Sequence, residues 1–146
     1  GETFVAPKEH IFESVGVVPG IDGKKMSKSY NNTIPLFATR EEIEKAVMSI
    51  VTDSEGERPE NVYAIHKLFK SEEELEAIYA ENEGKYGELK KILIDDIDAF
   101  IAPMREKRES ITDEDVKAIL EDGARKARER AQTKMEEVKG KIGVTL

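Results

Sequence analysis

Residues 23–33 read Gly-Lys-Lys-Met-Ser-Lys-Ser-Tyr-Asn-Asn-Thr, with three lysines and two serines in a stretch that holds too little apolar surface for a core. Gly, Ser and Asn also argue against a helix there. Lysine ammonium groups are mobile point charges that follow developing negative charge, and serine hydroxyls and loop amides add directed hydrogen bonds, so the stretch suits a polyphosphate. The chemistry would be phosphate transfer or displacement. A solvated lysine loop is the bland alternative, because charge runs usually face water. The P-loop pattern G-x-x-x-x-G-K-[ST] is absent.

The surrounding chain must position that loop. It has 146 residues, a net charge of −8 at pH 7, 38% hydrophobic and 37% charged residues, which fits one compact unit, or a small domain with an arm, rich in helix. No cysteine is present, which excludes disulfides and thiolate zinc sites, and His10 and His66 stand far apart without ligand spacing. No protein-held metal is expected. The sequence has no apolar run of about 18 residues, so no membrane partner and a cytoplasmic location are expected. The acidic balance argues against a general nucleic-acid coat and leaves room for a local basic patch.

The first 35 residues are punctuated by Gly16, Pro19, Gly20, Gly23 and Pro35, and read as an extended arm with an exposed loop. From Thr39 the pattern is helical. Thr39-Arg40-Glu41-Glu42 and Ser71-Glu72-Glu73-Glu74 are capping boxes, Pro59 suits the start of the helix between them, and Thr112-Asp113-Glu114-Asp115 caps the last helix. Leu89, Ile92, Leu93, Ile97, Phe100, Ile101 and Met104 recur at helical spacing over residues 86–108, with a kink expected near Pro103. The last helix carries a stripe from Val116, Ile119 and Leu120 through Gly123, Ala124 and Ala127 to Met135 and Val138. Its small residues predict a tight crossing with another helix, plausibly that of residues 86–108. The fold class is therefore mainly α: a bundle of four to five helices preceded by an extended arm and the phosphate-binding loop.

Residues 123–141 hold seven basic side chains (Arg125, Lys126, Arg128, Arg130, Lys134, Lys139, Lys141) against three acidic ones. Such a stripe suits an RNA backbone, and Lys90, Lys91, Arg105, Lys107 and Arg108 could extend it. A solvated face with i,i+4 pairs such as Arg125–Glu129 is the alternative. Tyr63 and Tyr86 could stack on splayed bases or simply pack half-buried.

The string Lys25-Met26-Ser27-Lys28-Ser29 is identical to the KMSKS signature of class I aminoacyl-tRNA synthetases. With Tyr30-Asn31-Asn32, the segments Ile50-Val51-Thr52-Asp53-Ser54-Glu55-Gly56, Gly84-Lys85-Tyr86-Gly87-Glu88-Leu89-Lys90, Pro103-Met104-Arg105-Glu106-Lys107-Arg108 and Asp122-Gly123-Ala124-Arg125-Lys126-Ala127 resemble, in order, the C-terminal part of bacterial tryptophanyl-tRNA synthetases. The resemblance spans nearly the whole chain. It implies that residues 1–37 are the trailing edge of a Rossmann-type catalytic domain and that residues 38–146 form the helical domain that contacts the tRNA anticodon.

The same resemblance implies a ligase that joins tryptophan to tRNA(Trp) through an adenylate, consuming ATP with Mg2+ and releasing diphosphate. Lys25 and Lys28 would stabilise the leaving pyrophosphate in the company of Ser27 and Ser29, with Met26 packing; the charge pattern above, and not the resemblance, offers Arg125, Arg128, Arg105 and Arg108 as the residues to meet RNA. The full-length enzyme would be a homodimer using ATP and L-tryptophan, with no cofactor bound tightly to this chain. The H-x-G-H-like element of class I enzymes is absent, so the chain is expected to be a C-terminal piece that makes no adenylate by itself. Asp53 and Ser54 read as a turn. A tyrosyl-tRNA synthetase fragment and a freestanding helical RNA- or protein-binding module are the alternatives.

Overall fold

The computed structural model describes residues 3–12, 16–52 and 58–144. Asp53 and Ser54 lie outside them. Among the described residues five α-helices run in order: α1 (Arg40–Met48), α2 (Glu60–His66), α3 (Glu72–Glu81), α4 (Tyr86–Glu109) and α5 (Asp113–Ile142). Among the described residues the only β pairing is an isolated antiparallel bridge between Pro19 and Lys25.

Local sequence explains where these helices begin. Thr39, Ser71 and Thr112 each accept the amide of the residue three positions on, while Glu42, Glu74 and Asp115 reach back to the cap amide, so three complete capping boxes set three starts. Pro59 sits one position ahead of its predicted place, as the N-cap residue of α2. That helix closes at His66, short of Leu68 and Phe69, which turn with amide bonds back to Ile65 and His66. Helix α4 continues through Pro103 to Glu109, beyond the Arg108 expected from its apolar spacing. Gly143, at φ 75°, closes α5 in the left-handed conformation that a side chain disfavours.

The chain packs as two units, Ile11–Lys107 and the described parts of Gly1–His10 with Arg108–Leu146. In the first, Ala38, Ile43, Val47, Ile50, Val62 and Ile65 meet Leu93, Ile94, Ile97 and Ile101 of α4 in one core. A second cluster joins Tyr63, Leu75, Tyr79 and Leu89. His66 lies wholly buried beside it, its Nε2 2.8 Å from Asp96 Oδ2 and its Nδ1 3.4 Å from the Tyr79 hydroxyl. Burial pushes the His66 pKa down, against the opposing pull of Asp96, so the imidazole is held toward its neutral form. This histidine is a satisfied structural group.

In the second unit, α5 buries no residue. Val116, Ile119, Leu120 and Met135 are exposed, and a Cβ built on Gly123 would meet nothing within 4 Å. Among the described residues of this unit no second helix packs on those small residues. Periodicity identifies a face able to be covered, and it does not supply the cover.

Candidate phosphate loop and basic residues

The sequence around the lysine loop folds into a pinned ring. Gly23, at φ 77°, turns the chain, and Gly23 N–H donates to the Gly20 carbonyl at 3.0 Å. Beyond the turn, the Met26 amide donates to the Val18 carbonyl at 2.8 Å, which returns the chain alongside its own entry. Ser27 then caps a 3₁₀ turn, Lys28–Tyr30, that ends at Asn31 in the left-handed region, φ 52°. Asparagine tolerates that region better than most side-chain-bearing residues. The ring is tied to the helices through the Val51 amide, which donates to the Ile21 carbonyl at 2.9 Å.

On this frame Lys25, Lys28 and Ser29 are exposed, and neither lysine makes an ion pair among the described residues. The hydroxyls of Ser27 and Ser29 come together at 2.8 Å. Met26 turns the other way, onto the wall of an apolar cavity of about 350 Å³ that it shares with Ile34, Phe69 and Phe100. The motif thus divides its labour: the thioether anchors while cations and hydroxyls face solvent. Such an arrangement can accept an anion without first breaking a salt bridge.

Asn32 is the residue whose part the sequence did not reveal. It is buried at 2% exposure, its Oδ1 accepts the Ser27 amide at 2.8 Å, and its Nδ2 donates to Asp22 Oδ1 at 2.7 Å and the Lys25 carbonyl at 3.2 Å. Asp22 Oδ1 also accepts the Lys24 amide at 3.0 Å. The Asn32 amide holds the Asp22 carboxyl below the usual carboxylate range. The available signal was the Asx-rich, glycine-punctuated string itself, since such residues bond to nearby backbone.

The candidate RNA-binding arginines differ in commitment. Arg125 pairs with Asp122 at 2.7 Å and Glu129 at 3.0 Å, while Arg128 makes no ion pair among the described residues. Both are on α5. Arg105, on α4, bonds Asp98 at 2.8 Å and is about three-quarters covered. Arg108 is exposed near the end of the same helix. Along α5, Glu137 is bonded by Lys134 and Lys141, whose ammonium groups draw its pKa down to about 2.

Lys90 does not extend the basic patch. Only 8% exposed, it sends its ammonium group to the carbonyls of Met48, at 3.0 Å, and Ile50, at 2.8 Å, closing the end of α1 from inside. A cation there satisfies carbonyls that the helix end leaves open. Tyr63 also has a structural place, buried edge-to-face against Tyr79 at 5.0 Å beneath the Arg58 guanidinium at 3.9 Å. Tyr86 is half-buried against the second cluster.

The family model described as tRNA synthetases class I (W and Y) matches residues 2–121, a stretch that includes the lysine loop and helices α1 to α4. The chain belongs to that family. The tryptophan–tRNA ligase of Xylella fastidiosa is 46% identical over 89% of this chain and 32% of its own length, and that of Rhodopirellula baltica is 39% identical over 99% and 48%. The crystal structure of tryptophanyl-tRNA synthetase from Campylobacter jejuni complexed with ADP and tryptophan superimposes with a TM-score of 0.81 at 38% identity, over 98% of this chain and 48% of that one. The chain spans about a third to a half of the length of these relatives.

Proposed function

We propose that this chain is the C-terminal part of a tryptophan–tRNA ligase, which converts ATP, L-tryptophan and tRNA(Trp) to tryptophanyl-tRNA, AMP and diphosphate. The carrying observation is the pair of exposed lysines, Lys25 and Lys28, free of ion pairs among the described residues on a hydrogen-bonded loop. In the first step the tryptophan carboxylate attacks the α-phosphorus of ATP, and the bond to the bridging oxygen breaks. Charge then gathers on pyrophosphate. ATP arrives as substrate with magnesium on its phosphates, and Lys25 and Lys28 neutralise the departing group while Ser27 and Ser29 offer hydroxyl bonds.

Residues 1–37 would then be the trailing segment of the catalytic domain, and residues 38–146 the helical tRNA-contacting part. The whole enzyme, in this proposal, is a cytoplasmic homodimer. The full-length protein is expected to catalyse ATP–pyrophosphate exchange with tryptophan and not with tyrosine, whereas this chain alone should give none. Exchange supported by tyrosine instead would move the protein to the sister specificity. Exchange by this chain alone would overturn its assignment as an incomplete piece.

The basic face of α5 and the end of α4 are assigned to tRNA, through Arg125, Arg128, Arg105 and Arg108. Charge reversal should sort them, because Arg128 is uncommitted among the described residues and Arg125 already serves Asp122 and Glu129. Arg128→Glu in the full-length enzyme is expected to weaken tRNA charging about tenfold at low salt, with exchange unchanged. Equal loss of both activities would point to misfolding and remove the assignment.

A further inference from the structure

Besides its main-chain bonds and the Met26 anchor, the phosphate loop is held by one buried polar side chain, Asn32. Asn32 grips the chain on both sides of Met26, through the Lys25 carbonyl and the Ser27 amide, and is itself steadied by Asp22. We propose that Asn32 is a positioning residue for adenylate formation: with Asp22 it fixes the backbone from Lys25 to Ser27, and so sets where the two lysines begin their reach toward the pyrophosphate. The inference rests on the assignment of the loop to pyrophosphate.

Three features carry it. The Asn32 amide has one orientation only, because its oxygen faces an N–H while its nitrogen faces a carboxylate and a carbonyl, and a flip would set like against like. Its own carbonyl accepts the Ile21 amide at 3.0 Å, so the residue closes the ring by main chain as well as side chain. The third is Gly20, where an added Cβ would stand 2.4 Å from the Asn32 side chain and 2.6 Å from its carbonyl oxygen. A methyl group there would evict the amide from its seat. The network touches no lysine ammonium, so it leaves the charges available while restricting the backbone that carries them.

Fixing the backbone matters because lysine reaches through four rotatable bonds, and a drifting base would add chain entropy to the cost of meeting the anion. A misplacement of about 1 Å can cost about a hundredfold in rate. Asn32→Asp is the sharpest perturbation. It keeps the shape and the acceptor for Ser27, but turns a carboxylate oxygen on Asp22 and on the Lys25 carbonyl.

In the full-length protein, Asn32→Ala, Asn32→Asp and Gly20→Ala are each expected to slow single-turnover adenylate formation about 10- to 100-fold. Tryptophan affinity should stay within about twofold, since a shift of that size lies within ordinary surface effects. A full rate in Asn32→Ala, beside a slowed Lys28→Ala, overturns the positioning role and leaves the loop's function standing. A parallel loss of tryptophan binding also overturns it. If Lys28→Ala itself keeps the full rate, the pyrophosphate assignment falls and this inference with it.

Discussion

On the proposed assignment to a tryptophan–tRNA ligase, replacing Lys28 by alanine in the full-length protein is expected to slow tryptophanyl-adenylate formation by about 100-fold, with tryptophan affinity nearly unchanged. Removing one preorganised group aimed at charge that appears in the transition state typically costs about 10²–10³ in rate. The lower end applies because Lys28 is exposed, and water screens part of its charge. The effect should fall on the rate more than on ATP binding, since the leaving pyrophosphate gains charge as the bond breaks. Lys25→Ala should act in the same direction. Lys28→Arg should recover part of the loss, because it keeps the charge and changes the donor geometry. Stopped-flow or quenched-flow measurement of the first turnover separates these effects. An unchanged rate in Lys28→Ala would remove the lysine from the chemistry.

The parts of this molecule legible in its sequence are those set by neighbours in the chain. Capping boxes at Thr39, Ser71 and Thr112 need only three residues each, and all three form. The apolar stripe of α4 is equally local: Leu89, Leu93, Ile97 and Ile101 are buried as their spacing requires, whereas Phe100 of the same predicted stripe is 57% exposed and Ile94, outside it, is buried. What the sequence hides is the identity of the partner across a distance. Lys90 reads as surface charge until its ammonium is seen on carbonyls some 40 residues earlier. His66 reads as inert until Asp96 and Tyr79 are seen on either side of it. Asn32 falls between these cases, since its side-chain hydrogen bonds lie within 10 residues but depend on a glycine turn folding the string back on itself.

Two leucines with the same helical credentials should behave in opposite ways. Leu93 on α4 is fully buried, so Leu93→Ala in the 146-residue chain removes apolar contacts and leaves a cavity; the loss should be about 3–5 kcal/mol of unfolding free energy. Leu120 on α5 is 65% exposed, and Leu120→Ala should shift stability by no more than about 0.5 kcal/mol. Alanine's higher helix propensity even favours the second substitution slightly. Urea titrations followed by circular dichroism read both differences as shifts of midpoint at constant slope. A loss at Leu120 comparable with that at Leu93 would show that the α5 stripe is covered in solution, through self-association of this chain, and its dependence on protein concentration would identify that cover. Agreement with the two expected values places the stability of this chain in the Ile11–Lys107 body, and leaves the apolar face of α5 energetically idle.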